Sequence, residues 1–127
     1  MKEYIEKFVL QAKSKSLATI GQDGINVVPI SAIRCMNGDI WLFDYFMNRT
    51  RENIVFNPQI AIVCWTDMEG YQIKGVAQYL KSGIKYRNAC DIVKELHPDR
   101  VLKGLIVIQP KNIFSVSPKD NSLENLL

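Results

Sequence analysis

The chain has 127 residues, of which 47% are hydrophobic and 23% are charged. This balance is typical of one globular domain with a substantial core, and it excludes a disordered chain. The net charge of +3 is too small and too scattered to indicate a nucleic-acid-binding protein. No apolar run approaches the roughly 20 residues that span a bilayer, and the N-terminus lacks the apolar stretch of a signal peptide. We therefore expect a cytoplasmic protein that does not enter a membrane.

The chain begins with a helical pattern and then changes to strands. Residues 2–13 place apolar side chains on one face and charged side chains on the other. Two strands are predicted next, over Leu17–Ile20 and Ile25–Ile33, with a glycine-bounded turn between them. Asn37-Gly38 is a strong two-residue hairpin signal and leads into a third strand, Ile40–Phe43. Local turn chemistry therefore predicts a meander of three consecutive strands.

The second half of the chain alternates between short helical and strand patterns in the same way. The predicted elements are a short helix over Arg51–Phe56, a strand over Gln59–Trp65, a strand over Tyr71–Leu80, an amphipathic helix over Tyr86–Leu96 and a strand over Leu105–Ile108. Gly75 indicates a bulge or a close approach of another group. Residues 113–116 either continue the last strand or add an edge strand.

About six short antiparallel strands favour closure into a barrel, because closure removes exposed sheet edges. An open α+β sheet is the alternative. We expect a single domain over residues 1–127, with residues 118–127 as a loosely ordered tail.

The cysteines and the single histidine do not indicate a metal site or a disulfide framework. Cys35, Cys64 and Cys90 are widely separated and form no C-x-x-C pair. We expect them to act as small buried hydrophobic residues in two strands and a helix. His97 comes just before Pro98, at the predicted end of a helix, where a cation is favoured.

The short helix after the third strand has an unusual charge pattern at its start. Thr50 is predicted to be its N-cap, and Arg49 and Arg51 flank that position. A helix N-terminus carries about half a positive charge, so two arginines there are unfavourable unless an anion lies between them. Backbone N–H groups, a hydroxyl and two guanidinium groups that converge on one point suit a phosphate. The alternative is that both arginines point into solvent.

Two neighbouring segments suit a flat heteroaromatic ring. Pro29-Ile30-Ser31 places a proline inside a strand pattern, which indicates an edge or a bulge with free peptide groups. Phe43-Asp44-Tyr45 ends the third strand with one carboxylate between two aromatic rings. The alternative is that both segments are ordinary strand ends.

The ordered set of these motifs resembles the pyridoxamine 5′-phosphate oxidase-like, FMN-binding split-barrel superfamily, particularly its short flavin-binding members. The resemblance covers residues 1–117 and implies a mainly β fold, a six-stranded antiparallel split β-barrel with flanking helices. Its motifs are Leu17-Ala-Thr-Ile20, Asp23-Gly24, Val28-Pro29-Ile-Ser31, Asn37-Gly38, Arg49-Thr50-x-x-Asn53-Ile54, Asn57-Pro58 and Gly75-Val-Ala77.

The resemblance also implies which residues bind the cofactor. Arg49 and Thr50 match the residues that bind the ribityl phosphate, and Asn48 and Asn53 would join or orient that site. The remaining predicted contacts, with the isoalloxazine ring, are Pro29, Ile30, Ser31, Phe43, Asp44 and Tyr45.

The family implies a homodimer with a flavin at each subunit interface, and FMN as the cofactor, with the deazaflavin F420 or haem as alternatives. The expected function is a flavin-dependent oxidoreductase or electron-transfer protein; the alternative is a non-catalytic flavin-binding or redox-sensing module. Vitamin B6 oxidation is not expected, because the C-terminal segment lacks the arginine and histidine that hold that substrate. No side chain stands out as an acid or a base, so no catalytic residue is assigned. The electron donor, a small molecule or a protein, is not encoded in any motif.

Overall fold

Seven strands and three helices make up the fold in the computed structural model, which describes residues 1–120 and 122–127. The helices are α1 (Glu3–Gln11), α2 (Asn48–Phe56) and α3 (Ile84–Leu96). The strands are β1 (Ser14–Gly21), β2 (Gly24–Pro29), β3 (Ile33–Met36), β4 (Asp39–Asp44), β5 (Gln59–Thr66), β6 (Glu69–Leu80) and β7 (Gly104–Ser115).

All seven strands belong to one antiparallel sheet with the order β2-β1-β5-β6-β7-β4-β3. Strands β2 and β3 are consecutive in the chain but form the two opposite edges of the sheet. Leu17 of β1, Ile40 of β4 and Ile73 of β6 are fully buried in one cluster. These strands are far apart in the sheet order, so their side chains meet only because the sheet curls around a common core.

The predicted second strand, Ile25–Ile33, is in fact two strands, which accounts for seven strands in place of the predicted six. Pro29 pairs with Ser16 at the end of β2 and has no N–H with which to continue the ladder. Residues 30–32, here named the crossing segment, then carry the chain to the other sheet edge. The predicted meander is wrong for the same reason, since β4 pairs with β3 and β7 and not with β2.

Strand β7 is one continuous strand, the first of the two alternatives predicted for residues 113–116. Pro110 lies within it, opposite Gly75 of β6, where the register shifts. A Cβ atom on Gly75 would overlap the carbonyl oxygen of Gln109, so the glycine permits this close approach. The bulge predicted at Gly75 is confirmed.

Helices α1 and α3 cover different faces of the sheet. Ile5 and Val9 of α1 are fully buried in the barrel core. Ala89 and Val93 of α3 pack in a second cluster with aromatic and aliphatic residues of β4 and β7, including Trp41. Among the residues that the structure describes, no helix is long and apolar enough to cross a bilayer.

The cysteines lie in β3, β5 and α3, as predicted, but they differ in burial. Cys64 is fully buried, whereas Cys35 and Cys90 are partly buried. Burial raises the pKa of Cys35 to about 11, and it also raises the pKa of Cys64. These two thiols therefore stay protonated and unreactive near neutral pH.

The C-terminal residues make contacts with β7. The N–H of Ile113 donates to Asn125 Oδ1, and the N–H of Leu126 donates to the carbonyl of Ile113. Leu126 also packs against the barrel core. The loose ordering predicted for residues 118–127 stays a prediction.

Candidate functional site

A cavity of about 370 Å³ lies where the crossing segment passes the end of β4 and the start of α2. Its size is within the range of small-molecule sites. Four parts of the chain line it: residues 28–32, residues 42–43, residues 45–50 and Arg100. Three of these parts contain residues that the sequence predicted for a cofactor.

The crossing segment is held in place by backbone hydrogen bonds at both ends. The N–H of Ile30 donates to the carbonyl of Lys15 at 3.0 Å, and the N–H of Phe43 donates to the carbonyl of Ala32 at 3.2 Å. Ser31 lies between these two bonds, on the cavity wall. The segment therefore forms a fixed wall although it belongs to no strand.

Helix α2 presents its N-terminus to the cavity. The first N–H of the helix to find an acceptor is that of Arg51, which donates to the carbonyl of Met47. The N–H groups of Asn48, Arg49 and Thr50 therefore have no acceptor within the helix. All three residues line the cavity. Their free amides and the helix dipole together favour an anion at this position.

The helix begins three residues earlier than predicted, so the assignment of Thr50 as its N-cap is wrong. Met47 occupies the N-cap position, and Thr50 lies in the first turn with only 1% of its surface exposed. The early start follows from Asp44, whose Oδ1 accepts a hydrogen bond of 2.6 Å from the N–H of Met47.

The two arginines of α2 do not converge, contrary to the prediction. Arg49 lines the cavity, and its guanidinium is 3.0 Å from the carboxylate of Asp23 in the β1–β2 turn. Arg51 lies outside the cavity lining, with its guanidinium carbon 5.4 Å from the ring centroid of Tyr79. Residues two apart on a helix do not face the same side, which accounts for the divergence.

The ion pair between Arg49 and Asp23 leaves the arginine available to a ligand. Their side chains are 61% and 87% exposed. Exposed pairs of this kind contribute about 0.2–1 kcal/mol. A guanidinium carries five N–H donors, so Arg49 is able to bind a phosphate while it keeps, or after it releases, Asp23.

Eight of the ten residues predicted to bind a cofactor line this cavity, and Asp44 and Asn53 do not. Asp44 is buried, and its carboxylate accepts hydrogen bonds from the Tyr79 hydroxyl and the Met47 N–H. Asn53 is also buried and donates from Nδ2 to the hydroxyl of Thr19 at 3.0 Å. The side-chain contacts of these two residues hold α2 against the sheet. A role in cofactor binding stays a prediction for all ten.

Tyr79 is fixed between Asp44 and a glycine. A Cβ atom on Gly104 would overlap the ring of Tyr79, so the ring reaches Asp44 only because residue 104 has no side chain. Desolvation of the phenol, together with its hydrogen bond to Asp44, raises the pKa of Tyr79 above its usual range. The hydroxyl therefore stays protonated and donates to the buried carboxylate.

Arg100 lines the cavity and was missed by the sequence analysis. Its guanidinium carbon is 5.0 Å from the ring centroid of Tyr45, which also lines the cavity. Burial raises the pKa of Tyr45, and the positive charge of Arg100 opposes this shift. The only local signal was a cation after a proline-containing turn, which is common on protein surfaces.

The cavity holds few ionisable groups. Those of the described residues that line it are Tyr45, Arg49 and Arg100. Within residues 1–120 and 122–127, no cluster of three His, Cys, Asp or Glu side chains is suited to a metal ion. The arrangement is suited to an anionic ligand with a flat apolar body.

Comparison with known proteins identifies a family and a sequence relative. The sequence profile of pyridoxamine 5′-phosphate oxidase matches residues 1–122. An uncharacterised protein of Methanocaldococcus jannaschii is 37% identical over 106 residues, which cover 79% of this chain and 70% of that protein.

Solved structures with the same fold include HupZ from Group A Streptococcus, with a TM-score of 0.83, 20% identity, and coverage of 93% of this chain and 95% of that one. An FMN-binding protein from Syntrophomonas wolfei subsp. wolfei has a TM-score of 0.76 and 17% identity, with 91% and 85% covered. HutZ, the heme storage protein of Vibrio cholerae, has a TM-score of 0.70 and 17% identity, with 89% and 92% covered. These likenesses confirm the predicted mainly β fold.

Proposed function

Because the chain belongs to the pyridoxamine 5′-phosphate oxidase family, we propose that it binds FMN in the cavity between the crossing segment and α2. The observation that carries this proposal is the joint lining of one cavity by a helix N-terminus, an arginine and a fixed stretch of extended backbone. The first two suit a phosphate, and the third suits the edge of a flat ring.

The phosphate of FMN would be held at the start of α2. The amides of Asn48, Arg49 and Thr50 supply hydrogen-bond donors, and the Arg49 guanidinium supplies a positive charge. Thr50 would add its hydroxyl. Charge-assisted hydrogen bonds of this kind are about twice as strong as neutral ones.

The isoalloxazine ring would lie along the crossing segment and the end of β4. The cavity is lined there by Pro29, Ile30, Ser31, Phe43 and Tyr45. When bound, FMN supplies hydride and electron transfer, while the chain supplies orientation and electrostatics. No carboxylate or imidazole is among the described lining residues, so the chain's part in such a reaction is binding and positioning.

The absorption spectrum and the thermal stability of the purified protein test this proposal. We expect a yellow protein with the bands of oxidised flavin, and FMN at 100 times its Kd should stabilise the fold by about 2.7 kcal/mol. A Soret band would indicate haem, as the fold of the heme storage protein HutZ allows, and a deazaflavin spectrum would indicate F420. A colourless protein that FMN does not stabilise would contradict the proposal. Anaerobic reduction of the bound flavin by NADH or NADPH separates a reductase from a non-catalytic flavin-binding or redox-sensing module.

We also propose that two copies of the chain associate through the outer faces of β1, β2 and β5. Ile25 and Val27 of β2 are 79% and 63% exposed, although both are apolar. They pair with Ile20 and Ala18 of β1 on the same outer face, and Ala61 of β5 continues it. Contiguous exposed apolar surface of this kind is typical of an interface.

This interface would place the flavin next to the second subunit. Val28, the neighbour of Val27 in β2, points to the opposite side and lines the cavity. One strand therefore contributes to both the outer face and the proposed cofactor site.

Val27→Lys is expected to convert a dimer into a monomer, because it places a charge in the proposed apolar interface. Sedimentation velocity at micromolar concentration measures the change. Ile84→Lys is the matched control, since Ile84 is 69% exposed at the start of α3, a helix that packs on β4 and β7. A monomeric natural chain, or a dimer that Val27→Lys leaves intact, would show that the interface has been misplaced.

A further inference from the structure

A second cavity, of about 460 Å³, lies beside the turn between β5 and β6 and is here named the hairpin cavity. Its size is within the range of small-molecule sites. It shares no lining residue with the cavity proposed for FMN. Its described lining residues come from α1, from the turn and the start of β6, and from the end of β7 and the chain after it: Phe8, residues 68–71, Ser115 and residues 117–120.

The wall that follows β7 is anchored to the start of β6. The N–H of Val116 donates to the carbonyl of Gly70 at 3.0 Å, and the N–H of Gly70 donates to Oγ of Ser117 at 3.2 Å. The N–H of Asp120 then donates to the carbonyl of Ser117. This segment therefore has a defined place beside β6, and the hairpin cavity is a feature of the fold.

Aromatic rings form the apolar part of the hairpin cavity. The rings of Phe8 and Tyr71 meet edge to face, with centroids 5.1 Å apart and planes at 88°. Tyr4 is exposed, and its ring centroid lies 6.5 Å from that of Tyr71. Met68, 69% exposed in the turn, adds a flexible apolar side chain to the wall. The face of an aromatic ring is partially negative, so such walls suit an apolar group or a cation.

The charged groups around the hairpin cavity are mainly negative. Glu69 and Asp120 line it, and Asp67 lines an adjoining cavity on the same turn. Lys119 is the one cation among the described lining residues of the two cavities. The ion pairs of the part of the chain that the structure describes include none of these four residues. Asp120 Oδ1 accepts a hydrogen bond from the N–H of Ser122, which holds that carboxylate in place without neutralising it.

The carboxylates act on the same ring that a bound cation would contact. Burial raises the pKa of Tyr71, and the groups Tyr4, Glu69, Cys64 and Asp120 raise it further, because each is negative when ionised. The phenol therefore stays protonated near neutral pH. Aromatic faces and an excess of negative charge are thus combined in one cavity.

We infer that the hairpin cavity binds a small organic cation that carries an alkylated ammonium group. The alkyl groups would contact the rings of Phe8 and Tyr71, and the carboxylates of Glu69 and Asp120 would supply the opposite charge. A quaternary ammonium has no N–H to satisfy, so it needs aromatic faces and nearby negative charge more than it needs hydrogen-bond acceptors. The inference does not depend on FMN binding, because the two cavities have separate linings.

An NMR titration of the isotope-labelled full chain tests the inference with two probes of the same shape. Choline carries a trimethylammonium group, and 3,3-dimethylbutanol is its neutral counterpart, with carbon in place of nitrogen. We expect choline to bind about fivefold to 30-fold more tightly, because only the cation gains from the rings and the carboxylates. The largest amide shifts should fall on Gly70, Tyr71 and Ser117, which line the hairpin cavity.

Four variants separate charge from shape. Glu69→Gln should weaken choline binding about twofold to fivefold and spare the neutral probe. Glu95→Gln is the matched control, since it removes an exposed carboxylate from α3, and it should change neither affinity. Lys119→Gln should strengthen choline binding, because it removes the cation from the lining. Phe8→Leu keeps an apolar side chain but removes the ring, so it should weaken choline more than the neutral probe.

Three results would overturn the inference. They are equal affinity for the two probes or no binding of choline, amide shifts that fall outside the hairpin cavity, and a Glu69→Gln variant that behaves as Glu95→Gln does. If Phe8→Leu does not fold, the substitutions at the exposed residues Glu69 and Lys119 still decide. Addition of FMN should leave choline binding unchanged. Competition between the two ligands would instead place the cation in the cavity proposed for FMN and would also count against the inference.

Discussion

Replacing Arg49 by alanine and Thr50 by valine is expected to weaken FMN binding by about 30-fold to 1,000-fold, with a much smaller effect on riboflavin. The loss corresponds to about 2–4 kcal/mol, the sum of one charge-assisted and one neutral hydrogen bond. Riboflavin lacks the phosphate, so the groups at the start of α2 contribute little to its binding. Valine keeps the branched shape of Thr50, which is almost fully buried, and removes only the hydroxyl. Fluorescence titration of the two flavins measures the difference.

Arg51→Ala is the matched control for this pair of substitutions. It removes an arginine from the same helix, but Arg51 packs on Tyr79 and does not line the cavity. We expect FMN binding close to that of the natural protein. Equal losses for FMN and riboflavin in the double variant would show that the phosphate lies elsewhere.

Gly104→Ala is expected to destabilise the protein and to weaken FMN binding, although residue 104 does not line the cavity. The new Cβ would overlap the ring of Tyr79 and push its hydroxyl away from Asp44. A buried carboxylate that loses a donor costs about 1–3 kcal/mol, and displacement of the ring adds strain. Because Asp44 also accepts a hydrogen bond from the N–H of Met47, the start of α2 would shift as well. Denaturant unfolding and FMN titration measure the two effects.

A double-mutant cycle isolates this mechanism. In a Tyr79→Ala background the ring is absent, so Gly104→Ala should cost much less than it does in the natural protein. Tyr79→Phe keeps the ring and removes only the hydrogen bond to Asp44. It should therefore show the loss of stability that comes from this hydrogen bond, without the steric overlap at residue 104. If Gly104→Ala costs the same in both backgrounds, the contact with Tyr79 is not the reason for the glycine.

The raised pKa of Tyr79 gives this contact a pH dependence. The phenol is held protonated in the folded chain and ionises more readily in the unfolded chain. Its contribution to stability is therefore complete below the usual tyrosine pKa and is lost as the pH rises above it.

The turns and the bulge were predictable because neighbouring residues determine them. Asn37 and Gly38 both adopt positive φ, at 53° and 86°, as their hairpin signal requires. Gly75 forms the expected bulge opposite Pro110. Most strands were predicted for the same reason, since their apolar patterns and flanking turn residues are local.

The amino-acid sequence by itself therefore determined the hairpins, the bulge and the segments that carry Pro29 and Arg49. Only the tertiary structure decided that β2 and β3 lie at opposite sheet edges, that Asp44 turns inward to Tyr79, and that Arg100 reaches the cavity. Turn chemistry acts over a few consecutive residues. Two features depend instead on which apolar faces are buried together. These are the pairing of the strands and the part of the folded protein that a charged side chain reaches. Those faces come from residues far apart in the chain, and no local pattern records them.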